Sequence, residues 1–589
     1  MILICALGPT SHFEKVSLCR AQSNSSDFPA IFPNAYRVLE AFSDWLVRLH
    51  PGTSFQGSFQ PLSPPCFGLD DNTHLGGWFV GATIRRIKFP EIFVGFVAPM
   101  GAEIAQSLLD FRSHFEQRGY HVVEVKVTDV FSVFQKYVEP KKPLKKTPLY
   151  ERYETHIAYG DQLRERFADN AFLASATVMR VIKRRLRIPS RQGVDEFSKV
   201  VYLLHQFKRK EEIDLLRSVY GDLFYQVSIY SRRGARVDYL SRRFASDDNT
   251  SGPHRFRDKA EALTQADEHE LGHAHGQRVS KIFHDADFII NTDAEQSVQK
   301  QINRFCELLF GSNAISPTRI EYGMFLAKAA ALRTLDLSRQ VGAAVFSPTG
   351  EILALGSNEV PKATGGTYWH DEDYDDREYV REHDSNDQRK KEILSELVKL
   401  IDPSRSVNEV LENAKVLDSQ FMDALEYGRI VHAEMSAITD AARLGHSVRD
   451  GTLYCTTFPC HMCAKHIVSA GIGKVVFLEP YPKSLASDLH SDSLQVESSD
   501  RGRYQSYPAV QFHHFHGVSP RRYRELFERT KRKKEDGKFE QYKDGESAPV
   551  CDIKFPFYLQ LEKYVADTMI SAFKSVTDKA ALIDEASET

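Results

Sequence analysis

His432, Glu434, Cys460 and Cys463 are the residues whose types and spacing make chemistry together in this chain. They lie in His432-Ala433-Glu434 and, further on, Pro459-Cys460-His461-Met462-Cys463. One imidazole and two thiolates supply three protein ligands for Zn²⁺ and leave the fourth tetrahedral position open to water. A carboxylate two residues past the histidine reaches that water without being a ligand. Zn²⁺ draws the pKa of a bound water towards neutrality, which makes hydroxide available as a nucleophile. Glu434 would take the water's proton, deliver it to the substrate and help a leaving group depart, one carboxylate serving as base and then as acid. The alternative is a closed structural zinc knot. It needs another Cys or His, for which His461 and His466 are candidates. His461, however, lies between the two cysteines and would point away from their metal, and Glu434 would have no task.

The elements that must position these groups are legible around them. A helix over His432 to Leu444 stops at Gly445, and the strand Thr452 to Thr456 leads into a helix over Cys460 to Ala470, stopped by Gly471. Lys474 to Leu478 reads as the next strand. Both ligand clusters thus sit at helix starts, where the partial positive charge favours thiolate, and Cys-x-x-Cys puts both sulfurs on one turn. Upstream, Ser316-Pro317 reads as a helix cap with proline at the first position, and its helix runs through Leu335. Val341 to Phe346 and Glu351 to Gly356 form a hairpin around Ser347-Pro348-Thr349-Gly350. Between Asn358 and Val431 lies an acidic insertion containing Asp371-Glu372-Asp373, read as a lid or subunit contact, with a solvated loop as the alternative.

Further upstream, Ile92 to Ala98 is an apolar run suited to a buried strand, turned by Pro99-Met100-Gly101 into a helix from Glu103 to Arg118. His121 to Val127, Val200 to Leu204, Phe224 to Tyr230 and Phe288 to Asn291 read as further strands, with a helix over Glu211 to Val219. Strand, helix, strand is the unit of a parallel sheet. The expected organisation is an irregular segment over 1–85, in which only Tyr36 to Leu49 reads helical, an α/β domain over 86–300, a second domain over 310–500, and a C-terminal extension over 501–589.

Composition adds boundaries. The 589 residues are 42% hydrophobic and 26% charged, ordinary for a multidomain globular chain. A net charge of −4 gives no global basic field for nucleic acid. Eight cysteines, two wanted as metal thiolates, do not read as a disulfide framework and suit a reduced, cytoplasmic setting. The opening Met-Ile-Leu-Ile-Cys-Ala-Leu lacks a basic n-region, and no stretch approaches the roughly 18 apolar residues of a membrane span, so no membrane partner is expected.

The H-x-E…P-C-x-x-C arrangement is the signature of zinc deaminases, which attack C4 of cytosine or C6 of adenine. Residues 317–480 resemble the cytidine/deoxycytidylate deaminase family: Ser338-Arg339-Gln340-Val341-Gly342-Ala343 matches its strand entry and Gly356-Ser357-Asn358 its G-x-N turn. The resemblance implies a three-layer α/β/α fold, a nucleotide substrate, and attack at C4 of cytosine with ring N3 protonated by Glu434. It further implies that Asn358 contacts the sugar and nearby base. Ala433, Tyr481 and Lys483 complete the expected substrate-binding set: Tyr481 and Lys483 follow a strand end near the expected pocket mouth, where an aromatic and a cation would hold base and phosphate, with a merely solvated lysine as the alternative. Glu359 stands where deoxycytidylate deaminases usually have a glycine that helps form their effector site, so control by dCTP and dTTP does not carry over.

From about 86 onward the arrangement is similar to bacterial antiphage dCTP deaminases, which join a P-loop kinase-like domain to a deaminase domain. The segments Glu211-Glu212-Ile213 through Tyr220-Gly221, Glu479-Pro480-Tyr481-Pro482-Lys483-Ser484, and Gly517-Val518-Ser519-Pro520-Arg521-Arg522-Tyr523 carry that resemblance. It implies conversion of dCTP and dCMP to dUTP and dUMP, a homo-oligomer such as a hexamer, and in some members inhibition by a small RNA. The expected fold class is α/β: a P-loop-like parallel α/β domain followed by a three-layer α/β/α cytidine-deaminase-like domain.

Three further signals are weighed down. Phe96-Val97-Ala98-Pro99-Met100-Gly101-Ala102-Glu103 occupies the place of G-x-x-x-x-G-K-[ST], with Ala102 at the lysine and Glu103 at the hydroxyl position. Ordinary NTP hydrolysis is therefore not expected, and a regulatory or assembly role is favoured. His269-Glu270-Leu271-Gly272-His273 matches H-E-x-x-H, but Gly272 weakens the helix that a zinc protease needs and Val279 stands where a third histidine would be. Basic clusters at Lys141-Lys142 with Lys145-Lys146, Arg184-Arg185 with Arg187, and Lys531 to Lys534 read as solvated faces, with RNA as the alternative partner.

Overall fold

Two six-stranded sheets, each flanked by helices, organise the chain in the computed structural model. The structure describes residues 87–189, 198–268, 275–294, 296–481, 483–497, 499–529, 532–540, 548–551 and 553–587. The helix read over Tyr36 to Leu49, and His269 to His273, lie outside them.

The first sheet has β1 (Ile92–Val97), β2 (His121–Lys126), β3 (Val200–His205), β4 (Phe224–Tyr230) and β5 (Phe288–Asn291), all parallel, in the order β2-β3-β1-β4-β5. Every residue of β1 and β3 is buried, as in a parallel sheet covered on both faces, which is why these strands read as continuous apolar runs. The helices are α1 (Ile104–Gln117), α2 (Leu149–Phe167), α3 (Phe172–Arg185), α4 (Lys210–Tyr220), α5 (Arg233–Asp247), α6 (Arg257–Glu268) and α7 (Val298–Leu309). Helices α2, α3, α5, α6 and α7 were not anticipated, and for α2 and α5 the reason is that their buried faces are partly polar. The first buries Thr155, Asp161 and Arg164, the second Arg236 and Ser241, so no clean apolar period marks them.

The second sheet runs β10-β11-β9-β8-β6-β7. It consists of β6 (Gly342–Phe346), β7 (Ile352–Ser357), β8 (Thr452–Thr457), β9 (Lys474–Glu479), β10 (Leu494–Val496) and β11 (Val510–His514). Only the β6–β7 and β6–β8 pairs are antiparallel. Its helices are α8 (Arg319–Ala331), α9 (Ser385–Ile401), α10 (Ala433–Arg443) and α11 (His461–Ser469). Ala343, Val345, Leu453 and Cys455 share a core with Ala437 of α10 and Ile467 of α11. Tyr454, of opposite parity, lies against Gly323 of α8. Helices therefore cover both faces, in three layers. The cap of α8 is not Ser316. Thr318 Oγ1 accepts from Glu321 N while the Glu321 carboxylate accepts from Thr318 N, a capping box whose two hydrogen bonds outweigh a proline at the first position. The helix also ends at Ala331, short of Leu335.

After residue 500 the chain serves both sheets. β11 pairs with β9, and the buried Phe515 leads at once to β12 (Gly517–Val518), which is antiparallel to β5. The final helix, α12 (Tyr558–Ser587), returns to the first layer, where the Tyr558 hydroxyl donates to Glu91 at 2.8 Å and Glu562 pairs with Arg185 at 2.6 Å. No helix among the described residues is long and apolar enough to cross a membrane.

Candidate metal centre and active site

His432 is the N-cap of α10 and Cys460 the N-cap of α11. Both positions precede a turn whose backbone N–H groups lack intrahelical partners, and the Cys460 sulfur accepts from Cys463 N at 3.5 Å. Close backbone approach sets the histidine: a Cβ on Gly356, near the end of β7, would run into the Ala433 carbonyl and the Ala437 amide. Glu359, just beyond β7, exchanges backbone hydrogen bonds with Val431 at 3.1 and 3.3 Å, which lays the strand's continuation beside the residue preceding His432.

His432 Nδ1 stands 3.3 Å from Cys460 Sγ and 3.3 Å from Cys463 Sγ, and the three ligand atoms lie within 4.8 Å of one another. Tetrahedral Zn²⁺, with Zn–S about 2.3 Å and Zn–N about 2.0 Å, separates nitrogen from sulfur by roughly 3.5 Å, so the trio fits zinc with a small expansion. Cys460 and Cys463 are buried and His432 half-buried. Glu434 is buried too, with Oε2 at 3.4 Å from Cys463 Sγ, adjoining the trio.

Of the two thiols, Cys460 is the more readily ionised. A hydrogen bond from the Cys463 thiol, working against burial and joined by His432, pulls the Cys460 thiol down to about 4. Burial first, then the bond to Cys460, holds the Cys463 thiol well above its ordinary value. For His432 burial opposes the charged ring, but the bond to Cys460 and its charge carry the imidazole up to about 8. A divalent ion would replace the protons on Cys463 and His432. Burial, reinforced by the Cys460 charge, raises the Glu434 carboxyl, which suits a group that must hold a proton as well as accept one.

The remaining predicted residues differ in their surroundings. Ala433 is fully buried as the first residue of α10. Asn358 is buried, with Oδ1 accepting from Val341 N at 2.7 Å and Nδ2 donating to Asp336 at 2.5 Å and the Arg339 carbonyl at 2.8 Å. Its amide thus pins the 336–341 loop and leaves a single lone pair on Oδ1 for a substrate. Tyr481 is half-buried beneath the Arg339 guanidinium, 5.7 Å from its ring centroid, and Ser484 Oγ donates to the Pro459 carbonyl, tying this segment to the cysteine helix. Lys483 is half exposed and paired with Asp418 at 3.3 Å and Asp423 at 2.9 Å.

Those two aspartates belong to the insertion, and sequence reading missed them, as it missed Glu426, which meets His461 at 3.2 Å. No local signal marks them, because their partners lie 35 to 65 residues away. The insertion is not a solvated loop. Leu425 packs against the core of the second layer, Lys390 is buried with its ammonium on the Met422 carbonyl, and Arg377 is buried against Asp375 and near Glu359. The Glu359 carboxylate accepts from Leu335 N and Val360 N, so this side chain is tied into the protein.

A histidine and two cysteines at adjoining helix starts of an α/β/α layer, with a buried glutamate beside them, define a metal-binding domain of zinc type. Residues 317–479 match the family described as the cytidine and deoxycytidylate deaminase zinc-binding region. The deoxycytidylate deaminase of Enterobacteria phage T2 is 48% identical over 54 residues, 9% of this chain and 29% of that protein. The chain thus spans less than a third of the length of that relative. Deoxycytidylate deaminase of Mus musculus is 26% identical over 179 residues, 30% of this chain and 70% of the mouse protein. The apo crystal structure of dCMP deaminase from cyanophage S-TIM5 is 18% identical and covers 34% of this chain and 99% of its own, at a TM-score of 0.19.

Proposed function

We propose that this chain is a zinc-dependent hydrolase that removes the C4 amino group of cytosine in deoxycytidine nucleotides, turning dCTP and dCMP into dUTP and dUMP with release of ammonia. The observation that carries the reading is the approach of the Glu434 carboxylate to within 3.4 Å of Cys463 Sγ in a trio spaced for zinc. Bound Zn²⁺ supplies Lewis-acid activation of water near neutral pH. Glu434 takes a proton from the attacking water, gives it to ring N3, and then assists the departing amine. Asn358 holds the loop that borders the base and offers Oδ1 to a sugar hydroxyl. Tyr481 supplies an aromatic face and Lys483 a cation for phosphate, which must compete with Asp418 and Asp423.

The finer reading is defence against phage by draining deoxycytidine nucleotides, in a homo-oligomer, with a small RNA as regulator. Its support is the resemblance carried by the segments around Glu211, Glu479 and Gly517. Ammonia release from dCTP, dCMP, deoxycytidine and single-stranded DNA, with Glu434→Ala as control, tests the reading. Turnover of the nucleotides that is lost in the variant is the expected result. Turnover that survives Glu434→Ala would overturn the mechanism, and activity confined to single-stranded DNA would overturn the substrate.

A further inference from the structure

The turn after β1 lacks a phosphate-loop lysine in sequence, yet an ammonium reaches it in space. Lys208, just past β3, is buried and donates from Nζ to the Ala98 carbonyl at 2.8 Å. The same Nζ meets Asp267 Oδ1 at 2.6 Å, and the other oxygen of Asp267 accepts from Met100 N, also at 2.6 Å. Asp267, near the end of α6, is fully buried. One carboxylate is therefore gripped by a backbone N–H of the β1–α1 turn and by a buried cation. All of this lies at the carboxyl ends of β1 and β3, where connections run towards opposite edges of the sheet and where α/β proteins bind ligands. The turn has no slack on its other side. Gly101 has φ +87°, and a Cβ there would stand 2.7 Å from the Arg236 carbonyl of α5. Arg236 in turn pairs with Glu268, the neighbour of Asp267. With the site closed this way, a phosphoryl group has no access.

We propose that the Pro99–Gly101 turn and Lys208 form an oxyanion site that the chain's own Asp267 fills, and that a phosphoryl group enters it only when the last turn of α6 withdraws. Lys208 takes the place of the cation missing at Ala102, and Asp267 takes the place of the phosphate. This goes beyond the deaminase reading and does not depend on it.

The test uses the full-length, zinc-loaded chain and inorganic pyrophosphate, inorganic phosphate and formate as probes, against sodium chloride at matched ionic strength. Thermal unfolding and calorimetric titration are the readouts. Wild type is expected to respond no more than Lys208→Met does, any binding at Lys483 being a background common to all the variants. Asp267→Ala is expected to unfold at lower temperature and to be restored by phosphate and pyrophosphate along a saturating curve, with its folding equilibrium shifted about 100-fold at a hundred times Kd. Adding Lys208→Met should abolish that response. Should Asp267→Ala not accumulate folded, Asp267→Asn keeps the volume, removes the charge and is expected to respond in the same sense. The proposal falls if wild type takes pyrophosphate as tightly as the variant, if the variant responds no better than to chloride, if formate alone restores it, or if Lys208→Met leaves the response intact.

Discussion

At the scale of single residues, the proposed reading divides the centre into three groups that would hold a metal and one, Glu434, that would move protons. Glu434 is not among the three ligands, so Glu434→Gln should keep a full zinc complement while ammonia release from dCMP falls by about 10²–10⁴, as read from elemental analysis beside the kinetic assay. Cys463→Ser should behave differently and lose zinc together with turnover, because a hydroxyl does not supply the thiolate a zinc site of this kind uses. Lys483 poses a subtler case. Its surface pairs with Asp418 and Asp423 contribute little to stability, on the order of 0–1 kcal/mol. They do compete with any substrate phosphate, so Asp423→Asn should lower KM for dCMP by a fewfold and leave kcat unchanged. An unchanged KM would separate Lys483 from phosphate binding.

Among the elements, β7 and α10 are set by one missing side chain. Gly356→Ala would drive a methyl group into the Ala433 carbonyl and the Ala437 amide, and overpacking of this kind costs about 1–3 kcal/mol. The displaced helix start carries His432 with it, so zinc content should fall along with Tm. The β10–β11 edge carries a pH-dependent element. Burial pushes Glu497 up to about 7 from 4.5, although it accepts from His514 N at 2.8 Å. Its folded value lies above its unfolded one, so its contribution is whole below about 4.5 and is lost as pH rises through about 7. Burial also pulls His514 down to about 4 from 6.5, so that contribution is present above 6.5 and is lost as pH falls through about 4. Glu497→Gln should therefore raise Tm relative to wild type near pH 8 and leave it unchanged near pH 4.5; equal shifts at both would refute the assignment.

Over the whole molecule, the segment Gly517–Tyr523 acts as a clasp between the two sheets and their helices. Val518 N donates to Glu321 of α8 at 2.8 Å, while the same carboxylate is paired with Arg304 of α7 at 2.6 Å. Arg522 donates to the Phe224 carbonyl at 2.8 Å and to the fully buried Asp287 at 3.2 Å. The rings of Tyr230 and His514 stack across the same junction with centroids 4.4 Å apart. Arg522→Met leaves Asp287 with Arg521 at 3.4 Å and Arg217 at 3.9 Å, so the loss should fall at the low end for a broken buried pair, about 3 kcal/mol. Urea unfolding is expected to change from one transition to two, with zinc content preserved.

What the sequence by itself determined is whatever short-range pattern can encode. His432, Glu434, Cys460 and Cys463 announce the metal chemistry because two short motifs at helix starts place them. The strands from Ile92 to Asn291 and from Gly342 to Glu479 show because buried strands are apolar runs between turns. The tertiary structure alone decided the rest. Thr318 and Glu321 displaced Ser316 as the cap through a reciprocal bond, and α2 and α5 hid behind polar buried faces. Asp418 and Asp423 reached Lys483, and Glu426 reached His461, from within a long insertion, and Lys208 and Asp267 met at a turn whose own residues lack the cation. Such pairs are set by packing between segments far apart in the chain, and spacing along one segment carries no trace of them.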